Sequence, residues 1–127
     1  MMNKKFIAAA AFIAALAVIL GAFGAHALKE KLSPENLQTF ETGVRYQFYH
    51  AFSLLAVGIL YKDFSGKLLK CAGTFFICGI ILFSGSLYVL SAVQSMKWTG
   101  AITPFGGLCF ITGWVLLGLG VYKKTKT

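Results

Sequence analysis

His26 and His50 are the side chains of this sequence best suited to acid–base or ligand chemistry, and both sit inside long apolar stretches. Ionisable groups at such positions are costly in a membrane and suggest function by default. What they can do depends on the company they keep. A zinc site wants three or four ligands, and no thiol shares the depth of the two imidazoles. A haem held by two histidines is conceivable if the rings face each other, although no haem-attachment motif accompanies them. A serine–histidine–acid triad needs a carboxylate behind the imidazole, yet Glu30, Glu35, Glu41 and Asp63 all lie outside the apolar runs. The same lack counts against proton-coupled transport, which usually employs buried acids. No metal and no cofactor is expected, and an enzyme is disfavoured.

Further polar residues accompany the histidines: Tyr46, Gln47, Ser53, Ser84, Ser86, Tyr88, Ser91 and Thr103. Helical spacing puts Tyr46, His50, Ser53 and Val57 on one face. If the first two apolar runs are antiparallel helices, a rise of 1.5 Å per residue sets His26 about 3 Å and His50 about 7 Å inside the same membrane edge. These residues predict a polar pocket open toward the outside. The plainer alternative is that the same groups hydrogen-bond between helices, each bond worth roughly 1 kcal/mol or less.

The elements that must position these groups follow from composition. Of 127 residues, 57% are apolar before the 14 glycines are added, and 13% are charged, against roughly 25% in soluble domains. A chain this small needs polar cover for its high surface-to-volume ratio. That excludes a soluble enzyme, a nucleic-acid-binding domain and a disordered tail. The net charge of +8 resides between the apolar runs, which fits membrane topology better than a nucleic-acid partner. Cys71, Cys78 and Cys109 show no metal or redox spacing and read as small buried apolar side chains.

Four charge-free runs occupy residues 6–28, 46–61, 71–96 and 98–122. About 20 apolar residues cross a bilayer, so the second run must extend back to about residue 43, with Arg45 snorkelling to the interface. The expected architecture is all-α: a single domain, 1–127, with four transmembrane helices (6–28, 43–61, 71–96, 98–122) in an up-down bundle. The first run also imitates a signal peptide ending at Ala25-His26-Ala27. It is longer than the usual 7–15 residues, and is expected to remain uncleaved. Lys4, Lys5, Lys62, Lys67, Lys70, Lys123, Lys124 and Lys126 fall on one side, whereas Lys29, Lys31, Arg45 and Lys97 fall on the other with three of the four acids. Both termini are therefore expected in the cytoplasm.

The first loop holds a helix start, Ser33-Pro34-Glu35, with an N-cap serine, proline in the first turn and an acid behind it. Leu37, Phe40 and Val44 continue an amphipathic stripe, so a short interfacial helix is expected over about 34–44, with Gly43 as a bend. Glu41 and Arg45 stand in the favourable order for an i,i+4 ion pair. Small residues mark helix contacts in lipid. Ala17, Gly21 and Gly24 supply them in the first run; Cys71, Cys78 and Gly85 recur every seven residues in the third, as do Gly106, Gly113 and Gly120 in the fourth. Such a recurrence is one face of a left-handed bundle.

Several segments resemble a known signature: Gly21-Ala22-Phe23-Gly24-Ala25-His26, Thr42-Gly43-Val44-Arg45-Tyr46-Gln47-Phe48-Tyr49-His50, Leu82-Phe83-Ser84-Gly85-Ser86-Leu87-Tyr88, Thr103-Pro104-Phe105-Gly106-Gly107 and Gly113-Trp114. They are similar, in order and over nearly the whole chain, to a small four-span family of unknown function, domain-of-unknown-function family 423, found in bacterial inner membranes with mitochondrial relatives. The resemblance implies a four-helix topology and an uncleaved first helix, puts Arg45 at a variable position, and brings no activity, substrate or cofactor.

The expected role is a non-enzymatic accessory or assembly component of the bacterial cytoplasmic membrane. The alternatives are a small oligomeric transporter or channel using the His26/His50 pocket, and a haem- or quinone-binding redox subunit. Expected partners are the lipid bilayer and, through the glycine faces, further copies or a larger membrane complex, with no nucleic acid. In a variant lacking native cysteines, Asn36→Cys is expected to react with an impermeant thiol reagent added outside cells, and Ser65→Cys only after permeabilisation. The reverse pattern contradicts the orientation.

Overall fold

A computed structural model describes residues 1–64 and 66–123, so Ser65, Lys124 and Lys126 lie outside the described residues. All regular structure among the described residues is helical. Helix α1, Lys4–Phe23, continues through one π turn, Gly24–Leu28. Helix α2 is Pro34–Phe64, α3 is Lys67–Gly79, α4 is Gly85–Ala92 and α5 is Thr103–Tyr122. A second π turn, Ile80–Ser84, joins α3 and α4, and a 3-10 segment, Gln94–Ala101, leads into α5. Three stretches are long and apolar enough to cross a membrane: Lys4–Leu28, Lys67–Ala92 and Ser95–Tyr122. Helix α2 has 31 residues, about 46 Å at the usual rise, but Arg45, Gln47 and His50 make it less apolar.

Local chemistry sets where helices start. Asn3 Oδ1 accepts the Phe6 amide at 3.1 Å, and Ser33 Oγ accepts the Asn36 amide at 3.1 Å. Each answers one of the otherwise orphaned first-turn donors. Gly66, with φ +155°, supplies the turn into α3, a conformation glycine adopts without steric cost.

The observed bounds differ from the charge-free runs in three places. The loop helix expected over 34–44 and the span expected over 43–61 are a single helix without a break. Gly43 does not bend it. The Tyr88 ring packs there, 2.8 Å from where a Cβ would stand. The rod expected over 71–96 begins at Lys67 and ends at Ala92, where Val93 turns extended (φ −116°, ψ 100°). The last helix starts at Thr103 rather than residue 98, with Pro104 in its first turn.

Contacts pair the helices in inverse order. The Asn3 amide donates to the Gly58 carbonyl at 2.9 Å, while Gly21 lies against Val44 and Gly24 against Phe40, so α1 and α2 run in opposite directions. Between α3–α4 and α5, Leu69 meets Gly120, Phe76 meets Gly113 and Phe83 meets Gly106. Bulky residues spaced by seven thus enter glycine notches spaced by seven. Phe110 of α5 returns the arrangement by entering a notch at Gly79. Ala10, Ala17 and Gly24 are buried at the same spacing on α1.

The small-residue stripe expected on the third run is a correction. Cys71 and Cys78 are exposed, and nothing lies within 4 Å of a Cβ placed on Gly85. The packing face there is Leu69, Ala72, Phe76 and Ile80, because the notches belong to the partner helix and this rod supplies the side chains that fill them. The Glu41–Arg45 pair is likewise absent: Arg45 Nη2 donates to Thr42 Oγ1 at 3.3 Å, and the ion pair seen among the described residues is Lys62–Asp63.

A Cβ at Gly106 would collide with backbone atoms of Phe83, which cannot rotate away, whereas nothing lies within 4 Å at Gly118. Gly106→Ala is therefore expected to cost about 1–3 kcal/mol and Gly118→Ala less than about 0.5 kcal/mol in reversible unfolding in mixed micelles. Equal losses would contradict the close approach of α4's rod and α5.

Candidate functional site: a polar centre between the helices

Gln47, buried to 3% exposure, sits where α1, α2 and α4 meet. Its Nε2 donates to the Ile13 carbonyl at 2.9 Å, and its Oε1 accepts the Tyr88 hydroxyl at 2.5 Å. Ile13 is near the middle of the Lys4–Leu28 stretch, so this cluster lies near the middle of the bundle's length. Ser84 Oγ donates to the Gly43 carbonyl at 2.7 Å. The π turn that ends at Ser84 adds a residue to the rod, and such turns re-aim side chains.

His50, 4% exposed, is held from both sides. Its Nδ1 is 2.8 Å from the Tyr46 carbonyl, and its Nε2 is 3.1 Å from Trp114 Nε1. A carbonyl only accepts and an indole N–H only donates. The partners therefore assign the proton to Nδ1 and leave the Nε2 lone pair to Trp114, giving a neutral imidazole. The ring lies flat on Phe110, centroids 3.5 Å and planes 6° apart, with Phe76 at 5.8 Å.

The remaining hydroxyls divide in two. Ser86 Oγ and Thr103 Oγ1, 2.6 Å apart, tie α4 to α5. Ser53 and Ser91 bond carbonyls of their own helices, His50 and Tyr88, at 2.9 and 3.0 Å. Among the described residues, no buried side-chain nitrogen or oxygen lacks a hydrogen bond.

Two sequence-named residues stand apart. His26 is exposed in the first π turn. Its neighbour Gly24 packs on Phe40, ten positions before His50 on α2, which separates the imidazoles by about 15 Å along the axis. The pairing fails because α2 begins at Pro34, more than two turns before the charge-free run. Tyr46 turns outward at 37% exposure, its ring 4.7 Å from that of Phe83. With Tyr49, Phe110, Ile111 and Trp114 it lines an open cleft of about 500 Å³ beside His50. A polar cleft of about 480 Å³ does exist at the first-loop end, but Ser33, Glu35, Asn36, Thr39, Leu90 and Lys97 line it, none of them an expected pocket residue.

Sequence reasoning missed Trp114 and Phe110. A signal was present. Tryptophan in membrane proteins favours the interface, so one in the middle of an apolar run needs a partner for its N–H. Chemically, the centre ties helices together. His50 has neither a free lone pair for a haem iron nor a facing second imidazole, and no group of three or more histidine, cysteine or acidic side chains is placed to hold a metal among the described residues.

Trp114→Phe is expected to cost about 1 kcal/mol and to show coupling with His50→Phe in a double-mutant unfolding cycle. His26→Ala and His50→Phe should add within about 0.5 kcal/mol. Coupling of the two histidines, or additivity of His50 with Trp114, would overturn this geometry.

Comparison with known proteins agrees with the apolar character of the chain. Residues 20–107 match the family described as Protein of unknown function (DUF423). The chain is 46% identical over 121 residues to the UPF0382 membrane protein YwdK of Bacillus subtilis, covering 94% of this chain and 98% of that protein. It is 45% identical over 120 residues to a UPF0382 membrane protein of Staphylococcus saprophyticus, with 94% and 98% covered. A UPF0382 membrane protein of Haemophilus influenzae is 37% identical over 126 residues, with 97% and 98% covered. No solved structure matches the chain. The chain belongs to the DUF423 family, membrane proteins of unknown function.

Proposed function

We propose that the protein is a four-span bundle of the bacterial cytoplasmic membrane with both termini inside, acting as an accessory or assembly component through helix contacts. The inverse pairing of successive helices supports an up-down course in which α2 is the second span. Gln47 and His50 can enter the membrane because α1, α4 and α5 cover them. The distribution of charge supports the orientation: Lys4, Lys5, Lys62, Lys67, Lys70 and Lys123 at one end, and Lys29, Lys31, Arg45 and Lys97 with Glu30, Glu35 and Glu41 at the other. On this reading the first turns of α2 lie at the outer interface.

The observation that carries the accessory role is the self-sufficiency of the polar centre. Gln47, His50, Tyr88, Ser84, Ser86 and Thr103 are engaged with one another, with Trp114 or with the backbone, leaving none of these six side chains poised for acid–base or nucleophilic work. The outward faces are apolar, with Phe12, Leu16 and Ile19 on α1 and Leu108, Ile111 and Val115 on α5. Such faces suit a lipid annulus or the helices of a partner.

Native mass spectrometry of complexes ejected directly from bacterial membranes tests the role. The expected result is a complex of fixed stoichiometry containing a different protein chain. A monomer alone, or a ring of identical copies, would overturn the accessory reading, the second in favour of a channel.

A further inference from the structure

We infer that the lysine-rich end of the bundle is a binding surface for the phosphate headgroups of anionic phospholipids. The inference rests on the proposed spanning arrangement, but not on which side of the membrane this end faces.

The packing brings four chain segments to one level. Asn3, whose amide reaches the Gly58 carbonyl, precedes Lys4 and Lys5; Phe6 fills a notch at Gly73. Lys62 follows Gly58 by one turn. Lys67 and Lys70 flank Leu69, which enters the notch at Gly120, and Lys123 lies one turn beyond that glycine. All six lysines are exposed. Lys62 has an acid beside it, Asp63 at 2.6 Å. Lys4, Lys5, Lys67, Lys70 and Lys123 form no ion pair with any described residue.

Lys4 and Lys5 are adjacent and Lys67 and Lys70 are one helical turn apart, separations within the screening length of about 8 Å at physiological salt, so the members of each pair repel until an anion arrives. The other end differs: Glu30, Glu35 and Glu41 offset its four basic residues.

Depth selects the anion. Tyr61 and Tyr122, adjacent in sequence to Lys62 and Lys123, are amphipathic rings of the kind that settle at headgroup level. Lysines there meet phosphodiesters from every side. Because α1 packs on α2 and α5 on α3, the cations are spread over the whole end of the bundle. That spread fits several lipid headgroups around the spans better than one acidic protein docked at a single point.

The test uses the purified full chain in bilayer nanodiscs of phosphatidylcholine alone or mixed with phosphatidylglycerol, read by thermal unfolding and by the lipid retained in native mass spectrometry. Phosphatidylglycerol is expected to raise the unfolding midpoint and to be retained in preference to phosphatidylcholine. The preference should be lost near 1 M salt, where screening falls to about 3 Å. It should also be lost in a Lys5→Gln/Lys67→Gln/Lys70→Gln/Lys123→Gln variant but kept in Lys29→Gln/Lys31→Gln. Equal retention of the two lipids by the unaltered chain, or a preference indifferent to salt, overturns the inference whether or not the variant folds. A midpoint raised by polyglutamate but not by phosphatidylglycerol overturns it in favour of an acidic protein partner. Alkaline carbonate washing separates the two readings: a chain that stays in the membrane without lipid preference refutes only this inference, whereas an extracted chain refutes the spanning arrangement too.

Discussion

Hydrocarbon offers no hydrogen bonds, so every polar group carried into a bilayer must be answered from within the protein. Gln47 and His50, buried between the helices, meet the same demand. The glutamine requires the Ile13 carbonyl on one side and the Tyr88 hydroxyl on the other, which fixes how α1 and α4 lie along α2. The histidine requires a donor for Nε2, and Trp114 brings α5 to the correct height. Slide any of these helices by one turn and a buried polar atom is stranded.

Polar contacts of this kind average about 0.6 kcal/mol in membrane measurements, too little to hold four rods together. Packing supplies the rest. Phe76, Phe83 and Leu69 occupy notches at Gly113, Gly106 and Gly120 that admit no side chain, bringing backbones close enough for dispersion contacts to accumulate. The division of labour is clear in magnitude: close packing stabilises the bundle, and the hydrogen bonds select its register. The aromatic stack of His50 on Phe110 joins the two, because Phe110, on which the His50 ring lies, also fills the notch at Gly79.

Much of this was legible in the residues. Ser33-Pro34-Glu35 starts a helix as its cap chemistry demands, and the glycines at 106, 113 and 120 face a partner at the expected seven-residue interval. Of the polar residues named, Gln47, His50, Ser84, Ser86, Tyr88 and Thr103 are hydrogen-bonded between the helices, whereas His26 lies apart from them. Charge marks where a run of lipid-compatible residues ends, not where a helix begins. Taking Arg45 as an edge divided the helix that starts at Pro34 into two pieces and made His26 look level with His50. Gly85 failed as a contact for a related reason: smallness shows that a helix permits close approach, while the knob that exploits it is read only from the other helix. The π turn at Ile80–Ser84, which aims Ser84 at Gly43, has no periodic signature, since it interrupts the period itself.

The buried polar groups satisfy one another, with the His50 imidazole neutral and fixed by Tyr46 and Trp114. Nitrogen-15 NMR of the histidine-labelled protein in bilayers measures this most directly. The expected spectrum shows a single neutral tautomer for His50, protonated at Nδ1, with Nε2 bare and accepting from the indole of Trp114. A proton on Nε2, in either the other tautomer or a charged ring, would contradict it.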